Sequence, residues 1–392
     1  MGSTNTGSSP AKMSVWEKNL LGVKIDQTPS LLPGMLLAVL LAWLCIWLSE
    51  FIGVTLLGFD KTPISAVMLA ILLGLIIGTI IQLPQFLKPG LSFAVKKILR
   101  LGIILLGIRL TIFDVFKLGV YGVPIVVICI LGALFFTTRI NNWLKLPDRL
   151  GALIAVGTSI CGVSAIVATG PSIDAEEEEV AYAVAVITIF GLLATLVYPY
   201  ASNAIFAGEA LKVGLFLGTS VHDTSQVVGS AKVYADVFSA PLALDVATVT
   251  KLVRNVFMAA VIPFMAFYYA RRTAGQVDSA GKKTNILKLL PLFVVGFLLM
   301  AVFRSLGDAG TNVGGDAFGL WDSTAWNAIH GTVKTWAGYL LVVALAGVGL
   351  GTDFRTFRGL GIKPFLVGLG AALVVGVVSF IAISLLGSFV TL

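Results

Sequence analysis

Long apolar runs alternate with short polar gaps over almost the whole chain. Most runs contain about 20 mostly apolar residues, the length that an α-helix needs to cross the hydrocarbon core of a bilayer. They lack the every-second-residue alternation of lipid-facing strands, so the pattern predicts helices and not a barrel. About eleven runs are predicted, which begin near Leu31, Ile64, Leu99, Val120, Leu150, Glu179, Leu211, Ala243, Leu287, Ala325 and Phe365.

Composition agrees with a bilayer as the main solvent. Of the 392 residues, 57% are hydrophobic and 12% are charged, which is more apolar surface than a water-soluble core can hide. We predict an all-α polytopic membrane protein in which residues 1–30 form a cytoplasmic tail and residues 31–392 form a single transmembrane transporter domain. Cys45, Cys129 and Cys161 all lie in apolar runs and imply no disulfide framework.

Basic residues are concentrated in four of the gaps between apolar runs. This placement indicates membrane topology and not a nucleic-acid partner, although the formal net charge is +7. With eleven crossings, all four gaps and the N-terminus lie on the cytoplasmic side. The C-terminus then lies outside, as do residues 305–324, which contain three aspartates and no Lys or Arg. The basic residues are Lys88, Lys96, Lys97, Arg100, Arg139, Lys145, Arg149, Arg271, Arg272, Lys282, Lys283, Lys288, Arg355, Arg358 and Lys363.

Two pairs of segments repeat within the chain. GTSICGVSAIVATG (157–170) resembles GTSVHDTSQVVGSA (218–231), and the related units extend over residues 157–200 and 218–264. A second pair relates residues 99–130 to residues 340–372. Internal repeats are common in secondary transporters, and clusters of Gly, Thr and Ser are frequent where a membrane helix breaks. We therefore expect broken helices that cross near the bilayer midplane.

The directions of the two repeats do not agree. With eleven crossings, the two GTS segments run in the same direction, whereas residues 99–130 and 340–372 run in opposite directions, as an inverted repeat requires. Three explanations stay open: one GTS segment is a re-entrant loop, the helix count is off by one, or the similarity is local and convergent.

Lys251 and Arg254 lie well inside an apolar run, where each charge costs at least ~2.5 kcal/mol. At positions i and i+3 they share a helix face with Thr248 and Asn255. Hydroxyl, ammonium, guanidinium and amide groups together form a donor surface suited to an oxyanion. A broken helix would add its partly positive N-terminus to such an anion site.

His222 and Asp223 lie in the second GTS segment and are candidates for proton uptake during transport. Imidazole titrates near neutral pH, and burial raises the pKa of a carboxylate toward neutral pH. A histidine that only hydrogen-bonds a neighbouring helix break is the alternative. For Lys251 and Arg254 the structural alternative is an ion pair with Asp223 or Asp245, or a lysine that snorkels from the helix end.

Small polar side chains of the two GTS segments complete the candidate substrate site. Their alternative role is helix packing through small residues. These candidates are Ser159, Cys161, Ser164, Thr219, Ser220, Ser225 and Gln226.

Other classes of chemistry have weak support. Residues 176–179, four glutamates in a row, are predicted to open a solvated helix. The chain contains no HExxH, GxxxxGK[ST] or GxSxG motif, so no metal, cofactor or ATP-driven pumping is predicted. An anion channel, and an intramembrane enzyme or sensor that uses Cys161 and His222, are the rival interpretations.

Four motifs, in this order, resemble the sulfate exporter family of YeiH-like bacterial inner-membrane proteins: LLGIRL (105–110), GTSICGVSA (157–165), GTSVHDTSQVVG (218–229) and TKLVRN (250–255). The resemblance extends from about Pro33 to the C-terminus. It implies kinship with the cation:proton antiporter and anion transporter superfamily, whose members cross two broken helices near the midplane and work by alternating access. It also implies sulfate or a related sulfur oxyanion as cargo.

The combined expectation is a secondary active exporter of a small oxyanion, with proton coupling, in the bacterial inner membrane. Its expected partners are a small inorganic or organosulfur anion and the lipid bilayer, with a homodimer as a candidate assembly and no nucleic acid.

Overall fold

The protein is built from helices that pack into one bundle. The computed structural model describes residues 17, 23–58, 64–273, 292–313, 315–352 and 361–390; the rest of the predicted N-terminal tail lies outside these residues. In chain order the α-helices are α1 (Leu32–Glu50), α2 (Ala66–Ile81), α3 (Lys88–Phe93), α4 (Leu99–Leu106), α5 (Ile112–Trp143), α6 (Asp148–Ser159), α7 (Val163–Thr169), α8 (Glu177–Ile205), α9 (Ala210–Ser220), α10 (Thr224–Val237), α11 (Pro241–Val256), α12 (Met258–Thr273), α13 (Leu292–Asn312), α14 (Ser323–Gly351) and α15 (Ile362–Leu386).

Seven helical segments of the described chain are long and apolar enough to cross a membrane. The prediction of a helical, multi-pass membrane protein is thereby confirmed, whereas the prediction of eleven crossings is not. The seven segments are Ile25–Leu56, Ile112–Trp143, Glu177–Ile205, Pro241–Tyr269, Leu292–Asn312, Ser323–Gly351 and Ile362–Phe389.

The other predicted runs are helical but short or interrupted. Helix α2 has 16 residues, and α3 and α4 are joined by a π-helical turn into one rod that ends at Arg109. The two GTS runs are each split into a pair of short helices, α6 with α7 and α9 with α10.

The first GTS segment folds back on itself. Gly157, nine residues after the start of α6, packs against Ile187, ten residues after the start of α8. This contact places the end of α6 beside Ile187, whereas Gly170, directly after α7, packs against Val180 near the start of α8. The chain between them therefore returns toward the start of α8. Helix α7 is the returning arm, since its Ile166 packs back onto Gly157. We name residues 148–172 hairpin 1.

The second GTS segment folds back in the same way. Helix α10 runs beside α8 in the same direction, because the Thr195 hydroxyl donates to the Gln226 carbonyl (3.3 Å) and the Tyr234 hydroxyl to Asn203 Oδ1 (3.0 Å). Helix α9 begins directly after α8 ends, so it has to run back against α10. We name residues 210–237 hairpin 2. Hairpin 1 extends from the Glu177 end of the bundle and hairpin 2 from the Ile205 end.

Helices α11 and α12 form one long rod that contacts both hairpins. A Cβ at Gly218 of hairpin 2 would lie 2.7 Å from Thr250 Cβ of α11. At the other end of the rod, the Tyr269 hydroxyl donates to the Asp148 carbonyl at the base of hairpin 1 (2.9 Å). The middle of this rod is therefore where the two hairpin tips meet.

Two smaller predictions are confirmed. Glu176 is the N-cap of α8, and the Glu179 carboxylate accepts from its backbone N–H at 2.9 Å, which closes a capping box at this helix start. The three cysteines are free and buried.

Glycines also allow close helix crossings outside the hairpins, and one of them joins α14 to α2. Gly349 of α14 lies against α2, where a Cβ would stand 2.6 Å from the Ile71 carbonyl oxygen and 3.0 Å from Gly74 Cα. Small residues let membrane helices approach in this way.

Replacing Gly349 by alanine should lower the stability of the bundle by about 1–3 kcal/mol, because the new methyl group forces two backbones apart. Thermal unfolding in detergent measures the loss. Gly351→Ala is the matched control, since no atom of the described residues lies within 4 Å of its Cβ position. Equal stability of the two variants would contradict the close crossing.

Candidate functional site

The tips of both hairpins meet α11 at Lys251 and Arg254. Both side chains are 0% exposed, and they lie one turn apart on the face of α11 that is turned toward the tips. The pair is buried inside an apolar helix, as its position in the sequence led us to expect, and its role in anion binding stays a prediction.

The Lys251 ammonium joins the two tips. Its Nζ donates to the carbonyl of Ile160 in hairpin 1 (2.6 Å), and to the carbonyls of Val221 (3.2 Å) and His222 in hairpin 2. A lysine ammonium has three donors and no acceptor, so all of its hydrogen-bonding capacity is used.

The Arg254 guanidinium makes the same kind of bridge. Its Nε donates to the Ser159 carbonyl (2.7 Å) and its Nη2 to the Thr158 carbonyl, both in hairpin 1. Its Nη1 donates to the carbonyls of Val221 (2.9 Å) and Gly218 (3.3 Å) in hairpin 2. Of the five N–H groups of an arginine, one on Nη2 is left over.

These contacts have a physical cause in the helix breaks. Helices α6 and α9 both end inside the bundle, where the last carbonyls of each helix lack intrahelical partners and carry its partial negative charge. Water and lipid cannot supply donors there, so the two cations do. The structure therefore turns the donor face of α11 toward helix C-termini, whereas the sequence led us to expect helix N-termini beside it.

Neither predicted carboxylate forms an ion pair with the two cations. Asp245 is paired instead with Arg109, whose Nη2 lies 3.2 Å from Asp245 Oδ2. The alternative that Lys251 or Arg254 forms a structural ion pair with Asp223 or Asp245 is therefore wrong.

Asp223 caps hairpin 2 at the start of α10. Its Oδ1 accepts from the Ser225 backbone N–H (2.9 Å) and hydroxyl (2.7 Å), and Gln226 Oε1 accepts from the Asp223 backbone N–H (3.0 Å). The positive end of α10 is thus already occupied by a carboxylate of the same chain. Asp223 also touches the other tip, since a Cβ at Gly162 would lie 3.1 Å from its Oδ2.

The His222 ring is buried at the tip of hairpin 2 without a hydrogen bond to any described residue. It is 1% exposed, and neither ring nitrogen has a partner among the described residues. Cys161, which the repeat alignment placed opposite it, donates instead to Met258 Sδ at 3.1 Å. The structure does not join Cys161 and His222 as a nucleophile and its base.

The predicted hydroxyl groups are mostly satisfied inside their own helices, as expected for packing residues. Thr219 also shares a 2.5 Å hydrogen bond with Ser379 of α15, a residue that no motif marked. Ser164 is exposed. The remaining contacts are Ser159 to Val156, Thr219 to Leu215, Ser220 to Phe216, Thr248 to Leu244, and the Asn255 amide to the Thr224 hydroxyl.

Gly162 is the residue on which the first tip turns. Its φ of +64° lies in a region that side chains rarely adopt, and Asp223 fills the space where a Cβ would project. The sequence contained this signal only as a glycine inside the first GTS segment.

Gly162→Ala should destabilise the protein by about 1–3 kcal/mol, because alanine is strained at this φ and its methyl group meets Asp223. Gly122→Ala is the control, because Gly122 lies in the middle of α5 and no atom of the described chain is within 4 Å of its Cβ position. It should keep wild-type stability or exceed it. Thermal unfolding in detergent compares them; a Gly162→Ala protein as stable as the control would rule out the tight tip contact.

The chain belongs to the family described as conserved hypothetical protein 698, whose model matches residues 33–368. It is 33% identical over 312 residues to a UPF0324 membrane protein of Corynebacterium glutamicum, covering 80% of this chain and 83% of that protein. A UPF0324 membrane protein of Streptococcus agalactiae is 31% identical over 334 residues, 85% of this chain and 94% of that protein. These names state a membrane location and no substrate.

Proposed function

We propose that this membrane protein is a secondary active transporter of a small anion and that the two hairpin tips on Lys251 and Arg254 form its transport site. The observation that supports this most strongly is the meeting of two re-entrant hairpins, from opposite ends of the bundle, on one buried cationic pair. Transporter sites typically lie at such breaks near the midplane.

The hairpins offer a solution to the conflict between the repeat directions. Each hairpin returns to its own end of the bundle and removes one crossing from the count. The units 157–200 and 218–264 then run in opposite directions, as do residues 99–130 and 340–372. Both pairs become inverted repeats, which supports alternating access.

The proposed orientation survives this change. Two fewer crossings leave nine, so the termini still lie on opposite sides. All four basic gaps stay together on the cytoplasmic side, as the positive-inside rule requires, with the C-terminus outside.

The balance of charge at the tips supports an anion as cargo. Each helix C-terminus carries roughly −0.5 elementary charge, so α6 and α9 together offset about one of the two buried positive charges. Asp223 also interacts electrostatically with Lys251, but its carboxylate already caps the positive end of α10, so it offsets the other positive charge only in part. When Asp223 or His222 takes up a proton, one positive charge becomes available for an anion, and this links anion binding to proton binding.

For the cargo we propose sulfate, sulfite or a related sulfur oxyanion, the class implied by the motif resemblance. An oxyanion of this kind would bind at the tips through the remaining Arg254 N–H and the neighbouring side chains of Asn255 and Thr224. The expected direction of transport is export.

Transport by purified protein in liposomes tests the site. Arg254→Met and Lys251→Met should each reduce uptake of labelled sulfate or sulfite by about tenfold or more, since each removes a charge that the tips need. Arg254→Lys keeps the charge and should retain more flux than Arg254→Met.

Lys212→Met is the control, because Lys212 pairs with Glu209 at a partly exposed position (2.9 Å). Size-exclusion chromatography verifies that each variant is folded. Wild-type flux in folded Arg254→Met protein would refute the anion site. Unlabelled anion on the far side should accelerate uptake in a carrier, whereas a channel would show no such acceleration.

Proton coupling is tested at His222, whose ring nitrogens have no hydrogen-bond partner in the part of the chain that the structure describes. His222→Gln keeps a polar side chain of similar size but cannot titrate in the working range. If His222 carries the coupled proton, the variant should lose the pH dependence of flux between pH 5 and 8 and should no longer move protons with the anion. An unchanged pH profile in His222→Gln would leave Asp223 as the candidate, to be tested as Asp223→Asn.

A further inference from the structure

A second cationic site lies away from the hairpin tips. A cavity of about 360 Å³ opens between α10, α14 and the end of the α3–α4 rod, and Arg109, Lys232 and Lys334 line it together with Asp236. We name it the Lys334 cavity. Its volume lies in the range of roughly 300–1,000 Å³ that is usual for small-ligand sites.

Two of the three cations already have partners. Arg109 is paired with Asp245 and also donates to the Pro241 carbonyl (3.2 Å). Lys232 is paired with Asp236 one turn later in α10. These pairs leave the cavity wall neutral except at Lys334.

Lys334 has no hydrogen-bond or ion-pair partner within the described part of the chain, although it is partly buried in α14. Gly338, one turn further along α14, lies beside Lys232: a Cβ there would be in ordinary contact with Lys232 Cε, at 4.0 Å. Tyr339, whose ring packs against Trp336, also lines the cavity, and its hydroxyl has no hydrogen-bond partner among the described residues. An unpaired ammonium, a phenol donor and two nearby cations are the groups that recognise an oxyanion.

The Lys334 cavity is separate from the hairpin tips, but α10 and α11 extend from the tips to residues at or beside the cavity. Lys232 follows Thr224, the first residue of α10, by eight residues, or about 12 Å of helix. Asp245 precedes Lys251 in α11 by six residues, or about 9 Å. The cavity therefore lies toward the Ile205 end, the side that the charge pattern assigns to the outside.

We propose that the Lys334 cavity binds a sulfate or phosphate oxyanion, either free or carried by a lipid headgroup, with Lys334 as its principal ligand. The site stands independently of the proposed transport, because its test measures binding and needs no flux.

The full chain, purified in uncharged detergent and depleted of lipid, is titrated with inorganic sulfate and with inorganic phosphate by calorimetry. Lys334→Gln should weaken one binding event by about tenfold or more, since one charge-assisted hydrogen bond is lost. Lys334→Arg should restore it. Lys212→Gln, which removes a positive charge from hairpin 2 at the same end, should bind like wild type.

A second arm identifies the source of the oxyanion. Short-chain phosphatidylglycerol is added to the same proteins, and bound lipid is counted by native mass spectrometry. One lipid fewer on Lys334→Gln than on wild type would assign the oxyanion to a headgroup. Weakened sulfate or phosphate binding alone would assign it to a free anion. Equal binding of all three probes to folded Lys334→Gln and wild type would overturn the proposal.

Discussion

The packing of this protein depends on hydrogen bonds between two buried cations and two helix ends. Helices α6 and α9 stop in the middle of the bundle, where their last carbonyls can reach neither water nor a following helical turn. Lys251 and Arg254 satisfy these carbonyls and draw both hairpin tips onto α11. Each cation alone would be costly in this environment, and each carbonyl end alone would be unsatisfied. Together they become a stable junction, and the positions of α7, α8 and α10 follow from it.

This junction explains the unusual composition of the two GTS segments. The tips need glycine where helices approach closely, as at Gly218 against Thr250, and where the backbone turns back, as at Gly162. Serine and threonine suit these positions because their hydroxyls can bond to carbonyls of the previous turn without water. Ser159, Thr219 and Ser220 do so, whereas the buried Thr158 hydroxyl has no partner among the described residues. The two GTS segments are therefore similar in sequence because each reverses the direction of the chain inside the helix bundle.

The sequence predicted which residues form the candidate site better than it predicted how they are arranged. The scarcity of charge in apolar runs identified Lys251 and Arg254, and the Gly-Thr-Ser clusters identified both breaks. Hydropathy could not distinguish a helix that continues after a break from one that returns, since both contain the same apolar residues. The sequence could not predict the hydrogen-bond partners of the two cations either. The acceptors at the tips are backbone carbonyls, which every residue has. The capping roles of Glu176 and Asp223 follow general helix rules, yet only that of Glu176 was recognised.

If the tips are the proposed transport site, its construction from backbone ends has a mechanical consequence. The cations hold the tips through carbonyls, so an anion that competes for Arg254 or neutralises the pair weakens the same bonds that fix the hairpins. Lys251 and Arg254 each contact both hairpins, and a change at either tip is therefore felt at the other. The hairpins open toward opposite ends of the bundle, so loosening one tip while the other stays bonded would expose the site to one side at a time. The hydrogen bonds that stabilise the fold are in this way also the interactions through which a bound anion would move the hairpins.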